Sequence, residues 1–398
     1  MGDTGRMRTS NAQPISYRTG VVAALDIGSS KITCLIGRAE PGSLKVLGAA
    51  LRESQGVKSA TVTSIDEAEE AIREAVAAAE NHADTRIQNV VISVACGNPT
   101  SITARAAAAL DGALVSDAHL HALLSEGRAR CQHEGVEVIQ AAPTSYAVDE
   151  ARGVRDPRGM FCQRIGVAMH AVAVKPSPLQ NLKLAVERGH LSVAGSLFAG
   201  YASGLATLTP DEMQLGATVI DMGGGVTSIA VFLEGQMVHA DVVPMGGGHV
   251  TTDLARMLAT PLSAAERIKT LYGAALGDIE SGTDTVAVPQ MGEDSEQYAL
   301  RVPRSMLTRI IQPRLEEILG EVQSRLRASS FDVVAGRRAV LTGGACQLAV
   351  SHGHRLADVR GARPSTSSSY SGYPADQDAP LRCAPPGAHA PHLPGAPA

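Results

Sequence analysis

The chain contains no tryptophan, and aromatic residues make up only 3% of its 398 residues. Its interior must therefore be built from Val, Ile, Leu, Ala and Met, a composition that suits α/β packing with short aliphatic strands. Basic residues are not in excess: 35 Lys and Arg face 40 Asp and Glu, so the charge balance gives no reason to expect nucleic acid as a partner. Six cysteines stand at 34, 96, 131, 162, 346 and 383, none in a CxxC pair and none beside a His cluster that zinc would need. Scattered thiols of this kind fit a reducing cytoplasm better than a disulfide framework. The first twenty residues lack the apolar core of a signal peptide, and no apolar run reaches the roughly 18 residues that a spanning helix requires. A soluble protein, long enough for two domains, is the expectation.

The chain divides by texture. Residues 1–19 are polar and expected to be disordered. Val21–Leu25 and Ile32–Gly37 read as strands around a turn, and Asn89–Ala95 as another. Between them lies a helical pattern over Ser64–Asn81, with Ser64 as N-cap and Glu67 at capping-box spacing. Residues 99–178 change character to β-α-β-β with a helix at Leu179–Arg188 after them, a small α+β insert. Two strand pairs with glycine-rich turns occupy 216–250, a charged helical region 251–331, and a last strand Arg338–Thr342. From 351 onward no period survives, and eight of the 21 prolines fall in 364–397, which predicts disorder.

Five motifs carry chemistry. Leu25-Asp26-Ile27-Gly28-Ser29-Ser30-Lys31 forms a hairpin turn of small residues, through which backbone N–H groups can approach an anion. Asp26 can orient the waters of a bound Mg²⁺. Alone, such a turn also describes a plain hairpin. The design recurs 195 residues later, where Asp221, Gly223, Gly224 and Gly225 lead into Thr227 and the strand Ile229–Phe232. Two such units suggest duplicated halves that face each other across a ligand. Gly246-Gly247-Gly248 precedes a helix expected to begin near Thr251 or Thr252, where free N–H groups and the helix dipole favour anions. Glu266 and Lys269 lie three apart on one helix face. Finally, Gly343-Gly344 ends a strand with bare backbone against which a flat ring can lie.

In this order and at these intervals, the five motifs resemble the phosphate and adenosine signatures of the actin, hexokinase and heat-shock chaperone superfamily. Within it the chain is similar to the FtsA family, on DIGSSK, the insert at 99–178, and Ile310–Glu317 ahead of the last motif. The resemblance implies an α/β, actin-like (ribonuclease H-like, duplicated) two-domain fold with an inserted α+β subdomain of the SHS2, or 1C, type. Domain I would span 20–98 and 179–215, the insert 99–178, and domain II 216–350, followed by an atypical tail at 351–398. It also implies ATP and Mg²⁺ as ligands. Asp26, Gly28, Ser29 and Ser30 would hold phosphate and metal from one side, and Asp221, Gly223, Gly224 and Thr227 from the other. Gly246 and Gly247 would line the phosphates, Glu266 and Lys269 touch ribose and adenine, and Gly343 and Gly344 pack on the adenosine. Such a protein ties FtsZ to the inner face of the membrane through the FtsZ C-terminal tail, which would dock near Arg314. It polymerises with itself and recruits later division proteins to the septum. At most slow ATP hydrolysis is implied, and the sequence assigns no catalytic base.

One departure stands out. After Leu348 the family pattern stops, with the texture of a reading-frame shift, and no amphipathic anchor helix is seen. The chain as written is therefore not expected to attach to membrane by itself. The rival readings are a sugar or acetate kinase of the same superfamily, which would need a catalytic carboxylate near its acceptor, and a related chaperone or pilus-assembly ATPase.

Overall fold

The aliphatic runs at the start of the chain form β1 (Gly20–Ile27), β2 (Lys31–Glu40) and β3 (Ser43–Glu53), joined by tight turns. In this computed structural model the described residues are 20–41, 43–274, 285–292, 299–331, 338–350 and 382–383. A two-residue hairpin, β4 (Val57–Lys58) and β5 (Thr61–Val62), leads to α1 (Ile65–Ala83) and β6 (Asn89–Val94). Ser64 caps α1, its Oγ accepting from the Glu67 N–H at 3.4 Å. The reciprocal half of the expected capping box is not made, because the Ser64 N–H already donates to the Gly56 carbonyl at 3.2 Å.

The insert follows as β7 (Thr100–Leu114), α2 (Asp117–Arg130), β8 (Glu137–Val148), β9 (Ala151–Val154) and β10 (Phe161–Val174), one short strand more than the sequence pattern gave. Its sheet runs β7-β10-β8-β9, all antiparallel, with α2 packed on it. The chain then returns through α3 (Pro176–Arg188) and β11 (Ser192–Phe198). Pro176 starts α3 a turn earlier than expected, as proline tolerates the first helical position, where its missing N–H is not needed. The crossover to the second half runs through α4 (Ala199–Thr207) and α5 (Pro210–Leu215).

That second half repeats the first: β12 (Ala217–Met222), β13 (Thr227–Leu233) and β14 (Gln236–Val243), then α6 (Gly247–Leu258), α7 (Leu262–Tyr272), β15 (Thr285–Val288), β16 (Leu300–Pro303), α8 (Arg304–Ala328), β17 (Ala339–Thr342) and α9 (Cys346–Val350). A two-residue strand, β18 (Arg382–Cys383), pairs parallel with β17. The two main sheets then share one order, β3-β2-β1-β6-β11 and β14-β13-β12-β17-β18, each with three antiparallel strands followed by two parallel ones.

Apart from β18, the disorder expected over 351–398 lies outside the described residues, as does that of 1–19. The β18 pair departs from that expectation because it satisfies backbone groups on the outer edge of β17. The start of α6 is a further correction. It begins at Gly247 rather than Thr251, since the Thr251 and Thr252 hydroxyls donate to the Gly247 and Gly248 carbonyls at 3.2 and 2.9 Å and hold the glycines in helical turn. Among the described residues no helix is long and apolar enough to cross a membrane. Cys34, Cys96, Cys131 and Cys162 are buried free thiols. Burial pushes the thiols of Cys34 and Cys96 up to about 12 and about 11, which leaves them as inert core groups.

Candidate functional site between the halves

The first two motifs form hairpins with the same hydrogen-bond pattern. In one the Gly28 N–H donates to the Lys31 carbonyl at 3.0 Å, and in the other the Gly223 N–H donates to the Val226 carbonyl at 3.0 Å. Register agrees as well, with Asp26 opposite Thr33 and Asp221 opposite Ser228. The tips meet head-on. A Cβ on Gly224 would strike the Ser30 hydroxyl, and one on Gly225 would strike the Ser29 hydroxyl. Ser29 and Ser30 are the positional equivalents of Gly224 and Gly225, so the two contacts are related by a local pseudo-two-fold axis. Hydroxyls on one tip fit against bare backbone on the other. The N–H groups of Ser29, Ser30, Gly224 and Gly225 have no hydrogen-bond partner among the described residues.

The other three motifs close on the second hairpin. The N–H groups of Gly247 and Gly248 donate to the Gly223 and Gly224 carbonyls at 2.9 and 2.7 Å, and that of Gly246 donates to His249 Nδ1 at 3.1 Å. The free N–H groups expected of this glycine triplet are thus engaged within the protein. What the triplet supplies is close backbone packing, since a Cβ on Gly246 would lie 2.9 Å from Gly224 C. Gly343 adopts φ +85° and sits over Asp221 and Met222, where a Cβ would lie 2.5 Å from Asp221 Oδ1. The Ala345 N–H donates to the Met222 carbonyl at 3.0 Å. Gly344, by contrast, has open space where a side chain would stand. Lys269 Nζ donates to Glu266 Oε2, Thr251 Oγ1 and the Gly247 carbonyl at 2.6, 2.8 and 3.2 Å, which fastens α7 to the first turn of α6.

Two expected site residues already carry bonds within the protein. Thr227 is buried and spends its hydroxyl on the Met245 carbonyl at 2.8 Å, so it ties the hairpin to the glycine triplet rather than facing the cleft. Arg314 on α8 is clamped by Asp253 of α6, with Nε–Oδ2 at 2.6 Å and Nη2–Oδ1 at 3.1 Å, and by Glu317 at 2.5 Å. Hydrogen bonds to Asp253 raise its pKa above the ordinary value for arginine. Sequence reading missed the hydroxyls that hold the aspartates. Ser93 Oγ donates to Asp26 Oδ1, and Ser203 Oγ donates to Asp221 Oδ2 at 2.6 Å. It also missed Thr251, and the turn at Ser59 and Ala60, whose Ala60 N–H donates to Ser29 Oγ at 2.8 Å.

Among the described residues no group of three or more His, Cys, Asp or Glu could cage a metal ion. A pocket lined by Thr103, Arg105, His170, Val238 and Phe331 lies between the insert and the second half and holds none of the expected site residues. Its lining offers no carboxylate pair or glycine turn. The convergence of five motifs makes the cleft between the hairpins the stronger candidate.

Duplicated sheets of this order, facing each other through glycine hairpins and interrupted by a small α+β insert, define an actin-like protein. A solved structure described as a PilM-PilN type IV pilus biogenesis complex shares the fold, with a TM-score of 0.57 at 17% identity over 86% of each chain. The family model described as "Cell division protein FtsA" matches residues 218–371, and the one described as "SHS2 domain inserted in FTSA" matches 96–173. The first match runs past Leu348, so the family pattern continues further than the loss of periodicity suggested. Cell division protein FtsA of Rhizobium meliloti (strain 1021) is 41% identical over 344 residues, which are 84% of this chain and 78% of the relative. That of Neisseria meningitidis serogroup B is 35% identical over 81% of this chain and 78% of its own length, and that of Escherichia coli (strain K12) 32% over 82% and 79%. The chain belongs to the FtsA family of cell-division proteins. These matches do not favour the kinase, chaperone or pilus-assembly readings.

Proposed function

We propose that the chain binds ATP with Mg²⁺ between its two halves and, so loaded, engages the FtsZ C-terminal tail and further copies of itself at the inner face of the cell membrane. Later division proteins would join that assembly. The observation that carries this reading is the convergence of five sequence-distant motifs on one cleft, with an aspartate at the end of each central strand. The lining suits a nucleotide. Four hairpin N–H groups without partners at Ser29, Ser30, Gly224 and Gly225 supply an anion site. Asp26 and Asp221 suit Mg²⁺, which prefers one or two carboxylates and keeps several waters. Gly28 and Gly223 shape the hairpins, and Gly246 and Gly247 form the floor beneath the phosphates. The engaged N–H groups of that floor leave phosphate charge to the hairpin tips and the metal. Glu266 and Lys269 would border the ribose and adenine, and Gly343 with the open face at Gly344 would support the adenosine. Bound Mg²⁺ would neutralise phosphate charge.

Titration calorimetry with ATP and Mg²⁺ tests the site. Asp221→Ala should weaken binding about tenfold or more, in line with loss of a carboxylate that orients a metal. Equal affinity in variant and wild type would overturn the reading. For the FtsZ tail, Arg314 is half-buried and already paired, so an acidic peptide would share its guanidinium with Asp253 and Glu317. Anisotropy titration of a tail peptide should show weaker binding to Arg314→Glu, and unchanged affinity would remove Arg314 from the interface.

A further inference from the structure

We propose that Ser93 and Ser203 are positioning residues that hold Asp26 and Asp221 in the rotamers a Mg²⁺–nucleotide complex requires; the inference rests on the cleft being a nucleotide site. A carboxylate accepts hydrogen bonds only, and a hydroxyl has a single proton to give. Each aspartate receives that proton on one oxygen, Asp26 Oδ1 from Ser93 and Asp221 Oδ2 from Ser203 at 2.6 Å. A carboxylate so tethered has lost its freedom about χ2 before any ligand arrives.

The donors reach equivalent aspartates by unrelated routes. Ser93 stands beside Asp26 on the neighbouring parallel strand β6, one step beyond the Leu25–Ile92 pair. The strand position equivalent to Ser93 in the second half is Thr342, which is in register with Asp221. Yet the serine that holds Asp221 comes from α4, the crossover helix. Simple inheritance of a duplicated contact would have kept one route. Two routes to the same tether indicate that the tether itself is required.

The alternative is a buried serine satisfying itself by chance. Ser203 is 3% exposed and does need a partner. The default for a buried hydroxyl in a helix is the carbonyl four residues back. Thr207 in the same helix does this, donating to the Ser203 carbonyl at 2.7 Å, and Thr252 and Thr270 do likewise in theirs. Ser203 instead spends its proton on Asp221.

The test is the dependence of ATP affinity on Mg²⁺ concentration, measured by calorimetry on the full chain. Ser203→Ala and Ser93→Ala should each weaken ATP binding about tenfold at saturating Mg²⁺, as loss of a ligand-orienting partner does. Affinity in EDTA, and the thermal midpoint without ligand, should stay at wild-type values. Ser93→Thr keeps the hydroxyl at a position whose counterpart is already threonine, and should restore Mg²⁺-dependent affinity. If Asp26→Ala and Asp221→Ala lose affinity while the serine variants do not, the positioning role fails and the nucleotide site stands. If the aspartate variants bind as wild type, the site reading itself fails. Equal losses in EDTA and in Mg²⁺ would show a merely structural role and overturn the proposal.

Discussion

The two halves share strand order and hairpin register, yet their central strands are buried differently. In β12 every residue but Asp221 is buried: Ala217 and Val219 pack with Phe198 and Leu208 on one face, and Ile220 and Met222 join the second-half core on the other. In β1 burial alternates. Ala23, Leu25 and Ile27 lie under α1, while Val22, Ala24 and Asp26 on the opposite face are only partly covered. On that side Val46 and Leu51 of β3 are 50% and 53% exposed. The difference is α4 and α5, which cover the second sheet; among the described residues no helix covers the matching face of the first. A duplicated backbone therefore conserves register and turn geometry, whereas burial depends on what each copy is packed against.

The largest expected effect tests that asymmetry. Val219→Asp places an unpaired charge in a site with no exposure and should cost on the order of 4 kcal/mol or more, leaving little folded protein in urea titrations. Leu51→Asp, on the open face of the first sheet, should cost less than about 1 kcal/mol. Similar losses for both would mean the open face is covered in solution.

Next comes Gly343, whose counterpart by register in the first half is Val94. A side chain is accommodated there, but at Gly343 it would combine φ +85° with contact at 2.5 Å to Asp221 Oδ1 and the Met222 carbonyl. Gly343→Ala should cost about 3 kcal/mol through strain and overpacking. A loss below about 1 kcal/mol would show that the turn relaxes freely.

The smallest effect concerns the insert, which hydrogen-bonds to the second sheet through Ser101. His170 beneath it is 3% exposed, and burial, with nearby His239 adding to it, lowers its pKa to about 4. The unfolded chain binds this proton near the ordinary value of 6.5, so stability is fully present above that pH and falls as pH drops from 6.5 toward 4. By pH 4.5 the loss should be roughly 2–3 kcal/mol in urea unfolding, and His170→Gln should flatten the slope. An unchanged slope would show that His170 titrates alike in both states.

Much of this was legible in sequence because it was local. Strands appeared as aliphatic runs, the hairpins as repeated Asp-x-Gly turns, and the insert as a change in pattern near residue 99. What stayed hidden joins residues far apart in the chain. Arg314 and Asp253 are separated by 61 positions and Ser93 and Asp26 by 67, and no periodicity reports such pairs. The start of α6 was hidden for another reason: glycine is a poor helix former, and the threonine hydroxyls that hold the first turn act from a turn away.

The outer strands of the two sheets carry one more consequence. Ala49 of β3 and Ala240 of β14 occupy matching registers, opposite Leu35 and Ala230. Each is met from outside by a side chain of another element. His82 of α1 lies 2.8 Å from the Ala49 carbonyl, while Ser101 Oγ accepts from the Ala240 N–H at 2.7 Å and lies 3.1 Å from its carbonyl. An edge strand with bare amides invites a stranger to zip onto it. Here the outer edges of β3 and β14 are stoppered at the same rung, so a strand from a second molecule could not add to either one in an unbroken ladder.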